Sequence, residues 1–130
     1  MRSVLAHLWR TSEREVSAAL DATYTKEVGQ WLWQVEDDPF VYISFYRDGA
    51  IEDELWWSRF SEFGGPPAVS VIANISGRHD GWLEAQAFVV KLLSTFEGVA
   101  ADDGGLRLWS RDEVAEDRQV DGRRFGSWRQ

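Results

Sequence analysis

The chain has 130 residues, 44% of them hydrophobic and 28% charged, which is typical of one soluble globular domain. Its net charge of −8 makes nucleic acid, anionic membranes and phosphate-rich partners unfavourable. The absence of cysteine excludes disulfides, thiolate catalysis and cysteine-ligated metal sites. No apolar run reaches the ~20 residues of a membrane span and no signal peptide opens the sequence, so we expect a cytoplasmic protein without a membrane segment.

The chain begins with a predicted strand and a predicted helix. Residues 2–10 (RSVLAHLWR) form a short apolar segment bounded by a cap signal, which predicts a first strand. Ser12 and Glu15 have the spacing of a capping box, which predicts a helix over residues 12–25. This helix has a narrow apolar side that includes Val16, so we expect it to be partly exposed.

Two further strands are predicted over residues 30–36 and 40–47, where side chains alternate in character. One face of this pair is apolar and carries Trp31, Trp33, Val35, Val41, Ile43 and Phe45. The other face includes Tyr42 and Tyr46 and is neither fully apolar nor fully polar. A sheet with helices on one side only would leave that second face open.

Residues 48–63 fit two structures. Asp48-Gly49 is a hairpin signal, and residues 55–60 (LWWSRF) would then be the returning strand. The apolar residues also fit a helical stripe, with the acids of residues 52–54 in its first turn and Gly64 at its end. We favour the helix and keep the hairpin as the alternative.

Residues 66–110 predict a β-α-β unit. Apolar residues alternate over 69–75 as in a strand, and then recur every three to four residues over 82–96 as in a helix. We expect Asp80 to cap this helix, Gly98 to end it, and Phe88, Leu92 and Phe96 to be buried. Residues 106–110 (LRLWS) predict the strand that completes the unit.

The end of the chain predicts a short helix and a tail. Ser110 and Glu113 have capping-box spacing and open a helix that contains Val114. Residues 119–130 show no periodicity and predict a loose tail, held by Phe125 or Trp128. The whole pattern predicts one α+β domain over residues 1–118. We expect a single antiparallel or mixed sheet of four to five strands, with two to three helices packed mainly on one face.

Few residues suit catalysis or metal binding. His7 lies in a predicted strand, where a structural role is expected. Arg78 and His79 lie between a strand and a helix N-terminus, a place that favours anions, although the segment also reads as a simple glycine turn. The carboxylate pairs at 37–38 and 102–103 lack the ligand spacing of a calcium loop. We therefore predict no catalytic residue, no metal site and no cofactor, and treat an enzyme as the less favoured alternative.

The charge of the chain is concentrated in residues 36–62, which we call the acidic segment. It carries eight carboxylates and two arginines, and so holds −6 of the total −8. Aromatic residues are interleaved with these acids, a combination that suits a basic protein partner, whereas the alternative is a solvated helix face with its tryptophans turned inward. The predicted partner-binding residues are Asp37, Asp38, Tyr42, Tyr46, Glu52, Asp53, Glu54, Trp56 and Trp57.

The second half of the chain contains a series of recognisable segments. They are Gly64-Gly65-Pro66-Pro67, the strand ending in Ser76-Gly77-Arg78, the helix to Phe96, the Phe96-Glu97-Gly98-Val99-Ala100 segment with Asp102-Asp103, and Leu108-Trp109-Ser110 with Asp112-Glu113. In this order, in a small acidic α+β chain, they resemble the immunity proteins of bacterial polymorphic and contact-dependent toxin systems. The resemblance covers residues 64–114 and consists of turn, strand and helix signals rather than catalytic motifs.

The resemblance implies a cytoplasmic antidote that binds a cognate toxin, often a cationic nuclease, and blocks its active site without performing chemistry. It transfers no toxin-binding residue to this chain. The alternative from another class is a small-ligand or anion-binding module, or an unrecognised enzyme, that uses Arg78, His79 and the adjacent helix N-terminus.

Overall fold

The computed structural model describes residues 2–35, 38–46, 60–76, 81–102 and 107–126. Six strands and three α-helices lie in these ranges, with a short 3-10 turn at Ser61–Phe63. The strands are β1 (Arg2–Trp9), β2 (Thr25–Glu27), β3 (Gln30–Val35), β4 (Asp38–Phe45), β5 (Val69–Ile75) and β6 (Glu97–Asp102). The helices are α1 (Glu13–Thr23), α2 (Trp82–Thr95) and α3 (Arg111–Ala115).

The strands form one antiparallel sheet in the order β2-β3-β4-β5-β1-β6. The predicted α+β class is confirmed, but the predicted number of four to five strands is wrong, since there are six. The strand missed at one edge is β2, whose three residues are all exposed and carry no apolar alternation. A strand of this length leaves almost no pattern in the sequence.

The other edge strand, β6, begins earlier in the chain than the strand predicted there. Residues 106–110 were expected to form the strand after α2, yet the chain pairs with β1 already at Glu97–Asp102. Trp109 makes only a single antiparallel bridge to Ala100. Because β1 lies between β5 and β6, the predicted β-α-β unit is a split one.

Gly98 lies inside β6 and does not end the helix before it. A Cβ atom at Gly98 would lie 2.3 Å from the backbone oxygen of His7, so only glycine permits this approach of β6 to β1. The helix instead ends at Thr95, followed by the extended residue Phe96.

The predicted capping box is complete at α3, whereas at α1 only its Ser12 half is formed. The Ser12 hydroxyl accepts from the N–H of Glu15 at 3.2 Å. Ser110 and Glu113 complete a reciprocal capping box, in which each side chain accepts from the other residue's N–H. The predicted cap of α2 is wrong: its N-cap residue is Gly81, in the left-handed region at φ 71°, and Asp80 lies outside the described residues.

All three helices bury residues against the same face of the sheet. Val16 and Leu20 of α1, Phe88 and Leu92 of α2 and Val114 of α3 are at most 1% exposed. Phe96, expected to be buried, is only partly so and packs against the margin of this core. The sheet contributes alternate residues of its strands, among them Val4, Ala6, Leu8, Val41, Ile43, Val71, Ala73 and Ile75.

The predicted C-terminal tail is packed rather than loose as far as residue 126. Phe125 is 1% exposed and lies between the rings of Trp82 and Trp109, with centroids 6.0 and 6.2 Å away. The N–H of Gly126 donates to the Asp102 carboxylate at 2.9 Å. Asp102 is therefore buried in β6 with a hydrogen-bond partner.

Candidate functional site

Three of the nine predicted partner-binding residues lie in the described part of the chain. Asp38 is the first residue of β4 and pairs with Val35. Tyr42 lies in the middle of β4 and Tyr46 directly follows it, and both are half-buried. The other six lie outside the described residues; they are Asp37, Glu52, Asp53, Glu54, Trp56 and Trp57. Arg78 and His79 of the alternative anion site also lie outside the described residues.

Tyr42 belongs to the face of the sheet that points away from the helices, which we call the second face. This face carries Ser3, Leu5, His7 and Trp9 of β1, Tyr42 and Ser44 of β4, and Ser70, Ile72 and Asn74 of β5. Antiparallel pairing aligns Tyr42 with Asn74, and Asn74 with Ser3. The Ser3 hydroxyl donates to Oδ1 of Asn74 at 2.6 Å. A mixed row of half-buried side chains therefore crosses the middle of the second face.

Aromatic side chains cover one end of the second face. Phe60, which is 1% exposed, contacts the rings of His7 and Trp9 edge-on, with centroids 5.0 and 5.6 Å away. Phe63 stacks on Trp9, and the Trp9 indole N–H donates to the carbonyl of Gly65 at 3.1 Å. Phe60 and Phe63 thus anchor residues 60–65 on this end of the sheet, although Phe63 itself is 41% exposed.

The same end is where the chain leaves the sheet and returns to it. The N–H of Tyr46 donates to the carbonyl of Ser70 at 2.8 Å. The Ser70 hydroxyl lies 2.8 Å from Nδ1 of His7, and the His7 ring packs against Phe60. The residues on both sides of the stretch 47–59 are therefore attached to neighbouring positions of β1 and β5.

The His7–Ser70 pair has the spacing of a base and a nucleophile but not their exposure. His7 is 0% and Ser70 4% exposed, and burial lowers the pKa of His7 to about 4. The imidazole is therefore neutral at pH 7 and sealed inside the protein. A nucleophile must be reached by its substrate, so we assign this pair the structural role that the sequence predicts for His7.

A second polar cluster, absent from the sequence analysis, lies beside the β2–β3 hairpin. The indole N–H of Trp31 donates to Oδ1 of Asp21 at 2.8 Å, and Nζ of Lys26 lies 3.8 Å from the same oxygen. Lys26 also lies over the Trp31 ring, 5.6 Å from its centroid. The sequence carries one signal, since the N–H of a buried tryptophan requires an acceptor, but spacing alone does not identify Asp21 as that acceptor.

Within the described ranges, no group of three or more His, Cys, Asp or Glu side chains could hold a metal ion. None of the helices in the same ranges is long and apolar enough to cross a membrane. Comparison of this chain with protein-family models, with curated proteins and with solved structures finds no match.

Proposed function

We propose that this protein is a bacterial immunity protein that binds and neutralises a basic cognate toxin in the cytoplasm without performing catalysis. The binding surface is the acidic segment, residues 36–62, which includes Tyr42 and Tyr46. The observation that carries the proposal is the concentration of −6 of the total charge of −8 in this one segment.

An acidic surface acts first on the encounter between the two proteins. Eight carboxylates against two arginines attract a basic partner and raise the association rate. The charge of the whole chain makes nucleic acid the wrong partner, because phosphates would be repelled. A basic nuclease, in contrast, presents cationic residues where its own substrate binds, and an acidic protein can cover them.

Aromatic residues supply contact area after the encounter. Tyr42 and Tyr46 are half-buried, which leaves part of each ring open to a partner. Tyrosine has few rotatable bonds and a large amphipathic ring, so it loses little entropy on binding. Trp56 and Trp57, in the same segment, are the residue type most enriched among binding hot spots.

The first experiment identifies the partner and measures its binding. The partner is sought by co-purification from the native cell, with the product of the adjacent gene as the first candidate. We then expect the triple substitution Glu52→Lys, Asp53→Lys and Glu54→Lys to slow association and to flatten its dependence on salt, because charges steer diffusion. Stopped-flow or surface plasmon resonance experiments at several salt concentrations measure the association rate and its salt dependence.

The matched control changes the same amount of charge elsewhere. Glu13, Glu27 and Glu116 are exposed and lie outside the acidic segment, and their replacement by lysine should have a much smaller effect. Replacing Trp56 or Trp57 by alanine, whichever is exposed, should instead speed dissociation. For a hot spot the loss of binding free energy should be ~2 kcal/mol or more. Equal association rates for the two triple variants would refute the acidic segment as the binding surface.

A further inference from the structure

A groove of about 410 Å³ opens at the end of the sheet where β3 and β4 separate. The ladder between these strands stops at the pair Trp31–Ile43. Beyond it, Gln30 and Ser44 keep only their outer partners, Glu27 of β2 and Ile72 of β5. The space at this end of the two strands has a volume in the ~300–1,000 Å³ range of small-molecule sites.

Two aromatic rings line the groove and hold each other in place. Trp31 and Phe45 meet edge-to-face with ring centroids 5.7 Å apart. Trp31 is 4% exposed and its indole N–H is bonded to Asp21 at 2.8 Å. The hydrogen bond and the ring contact fix the orientation of the indole, so the apolar wall is preorganised for a flat ligand.

Two donors, Lys26 and Ser17, also line the groove. Nζ of Lys26 lies 3.8 Å from Asp21, beyond hydrogen-bond distance, so this pair orients the ammonium group without using its three donors. Ser17 lies one helical turn before Asp21 on α1, and its half-buried hydroxyl makes no hydrogen bond to another described residue. The lining residues include no carboxylate.

We propose that this groove binds a small aromatic carboxylate. The carboxylate accepts from the Lys26 ammonium and the Ser17 hydroxyl, and the ring of the ligand packs beside Phe45 and Trp31. The chain's distant negative charges do not prevent this, because ions screen charges farther away than ~8 Å at physiological salt. The nearby Asp21 carboxylate is already engaged by the Trp31 N–H and the Lys26 ammonium. A charge-assisted hydrogen bond formed in the groove itself is short-range and stronger than a neutral one.

The test uses 2-naphthoate and 2-naphthamide, which share a shape and differ in charge. Nitrogen–proton spectra of the full chain follow the indole N–H of Trp31, assigned with the variant Trp31→Phe. We expect naphthoate to shift this signal in a saturable way and to bind about tenfold more tightly than the neutral amide. Equal affinity for the two probes, or no shift of the Trp31 signal up to millimolar naphthoate, would overturn the proposal.

Variants of the parent chain test the two donors. Lys26→Gln removes the charge and should weaken naphthoate binding about tenfold, whereas naphthamide binding should change little. The other lysine of the chain, Lys91, is exposed on α2, and Lys91→Gln is the matched control with the same change of charge. Ser17→Ala should weaken binding by a smaller factor. If Lys26→Gln and Lys91→Gln bind naphthoate equally well, the groove is not the site.

This groove does not depend on the proposed function. Its lining contains none of the nine predicted partner-binding residues, although two lining residues, Ser44 and Phe45, lie within the acidic segment. Toxin binding by the acidic segment and naphthoate binding by the groove can therefore be present or absent separately, and each experiment reports on one of them.

Discussion

The two faces of the sheet share the same strands but differ in burial and composition. Under the helices, Val4 and Val71 are 0% exposed and belong to a continuous apolar core. Their chain neighbours on the second face, Leu5 and Ile72, are half-buried and lie beside polar residues such as Asn74. One face therefore supplies most of the packing free energy, while the other keeps side chains partly open and holds the attachment points of the acidic segment.

Among the described residues, aromatic side chains close one end of the second face. Trp9 and Phe60, with Val99, form a small buried cluster separate from the main core. This cluster encloses His7, and its place beside Tyr46 means that the residues flanking the stretch 47–59 are well anchored.

The largest effect is expected under the helices. Leu92 of α2 is 1% exposed in the main core, so Leu92→Ala removes buried methyl groups and should cost ~2–5 kcal/mol of unfolding free energy. Urea denaturation followed by circular dichroism measures this cost. Leu83→Ala on the same helix is the control, since Leu83 is 71% exposed and its truncation should be nearly neutral. Similar costs for the two variants would contradict the proposed orientation of α2.

An intermediate effect is expected from His7 on the second face. Its pKa is lowered by burial to about 4, compared with about 6.5 in the unfolded chain, so between these values the unfolded state binds more protons. This contribution to stability is present in full above pH 6.5 and is lost as the pH falls towards 4. Its size is about 3 kcal/mol.

The measurement compares urea unfolding at pH 7, 6, 5 and 4 for the parent chain, His7→Asn and His79→Gln. The parent and His79→Gln should lose stability together, and His7→Asn should lose less, because carboxylates that titrate in this range are common to all three. A parallel loss in His7→Asn would show that burial of His7 does not control the pH dependence.

The smallest effect separates the two faces at adjacent residues. Val71→Thr places a hydroxyl in the core and should cost ~1–3 kcal/mol. Ile72→Thr makes a similar change on the half-buried second face, where water and polar neighbours can bond the hydroxyl, and should cost under about 1 kcal/mol. Thermal or urea unfolding measures both. A larger cost for Ile72→Thr would reverse the assignment of the two faces.

Features that depend on a few neighbouring residues were predictable. The hydroxyls of Ser12 and Ser110 bond N–H groups three residues ahead, and these bonds need no contact from elsewhere in the chain. The alternation of Trp31 with Trp33 and of Val41 with Ile43 likewise identified the face that the helices cover. The predicted class and the main helices follow from such local signals.

Features that depend on distant contacts were missed. Gly98 lies in a strand, where the backbone of β1 approaches it closely. In the sequence, a glycine directly after a helix is equally typical of a helix C-terminus, so the strand could not be identified. Phe125 is buried because Trp82 and Trp109 form its surroundings. The groove lies where the pairing of β3 with β4 stops at Trp31–Ile43, and that end point depends on both strands together.

The sequence by itself determined the α+β class, the caps of α1 and α3, the apolar face of the central strands and the concentration of charge in residues 36–62. Periodicity and local hydrogen bonding involve only a few neighbouring residues, and composition and charge are sums over the sequence, so all of these can be obtained without the fold. Tertiary structure alone decided the strand order, the burial of His7 with Ser70, and the meeting of Ser17, Lys26 and Trp31 beside the hairpin. Such juxtapositions join residues far apart in the chain, and their free energy appears only when the strands pair.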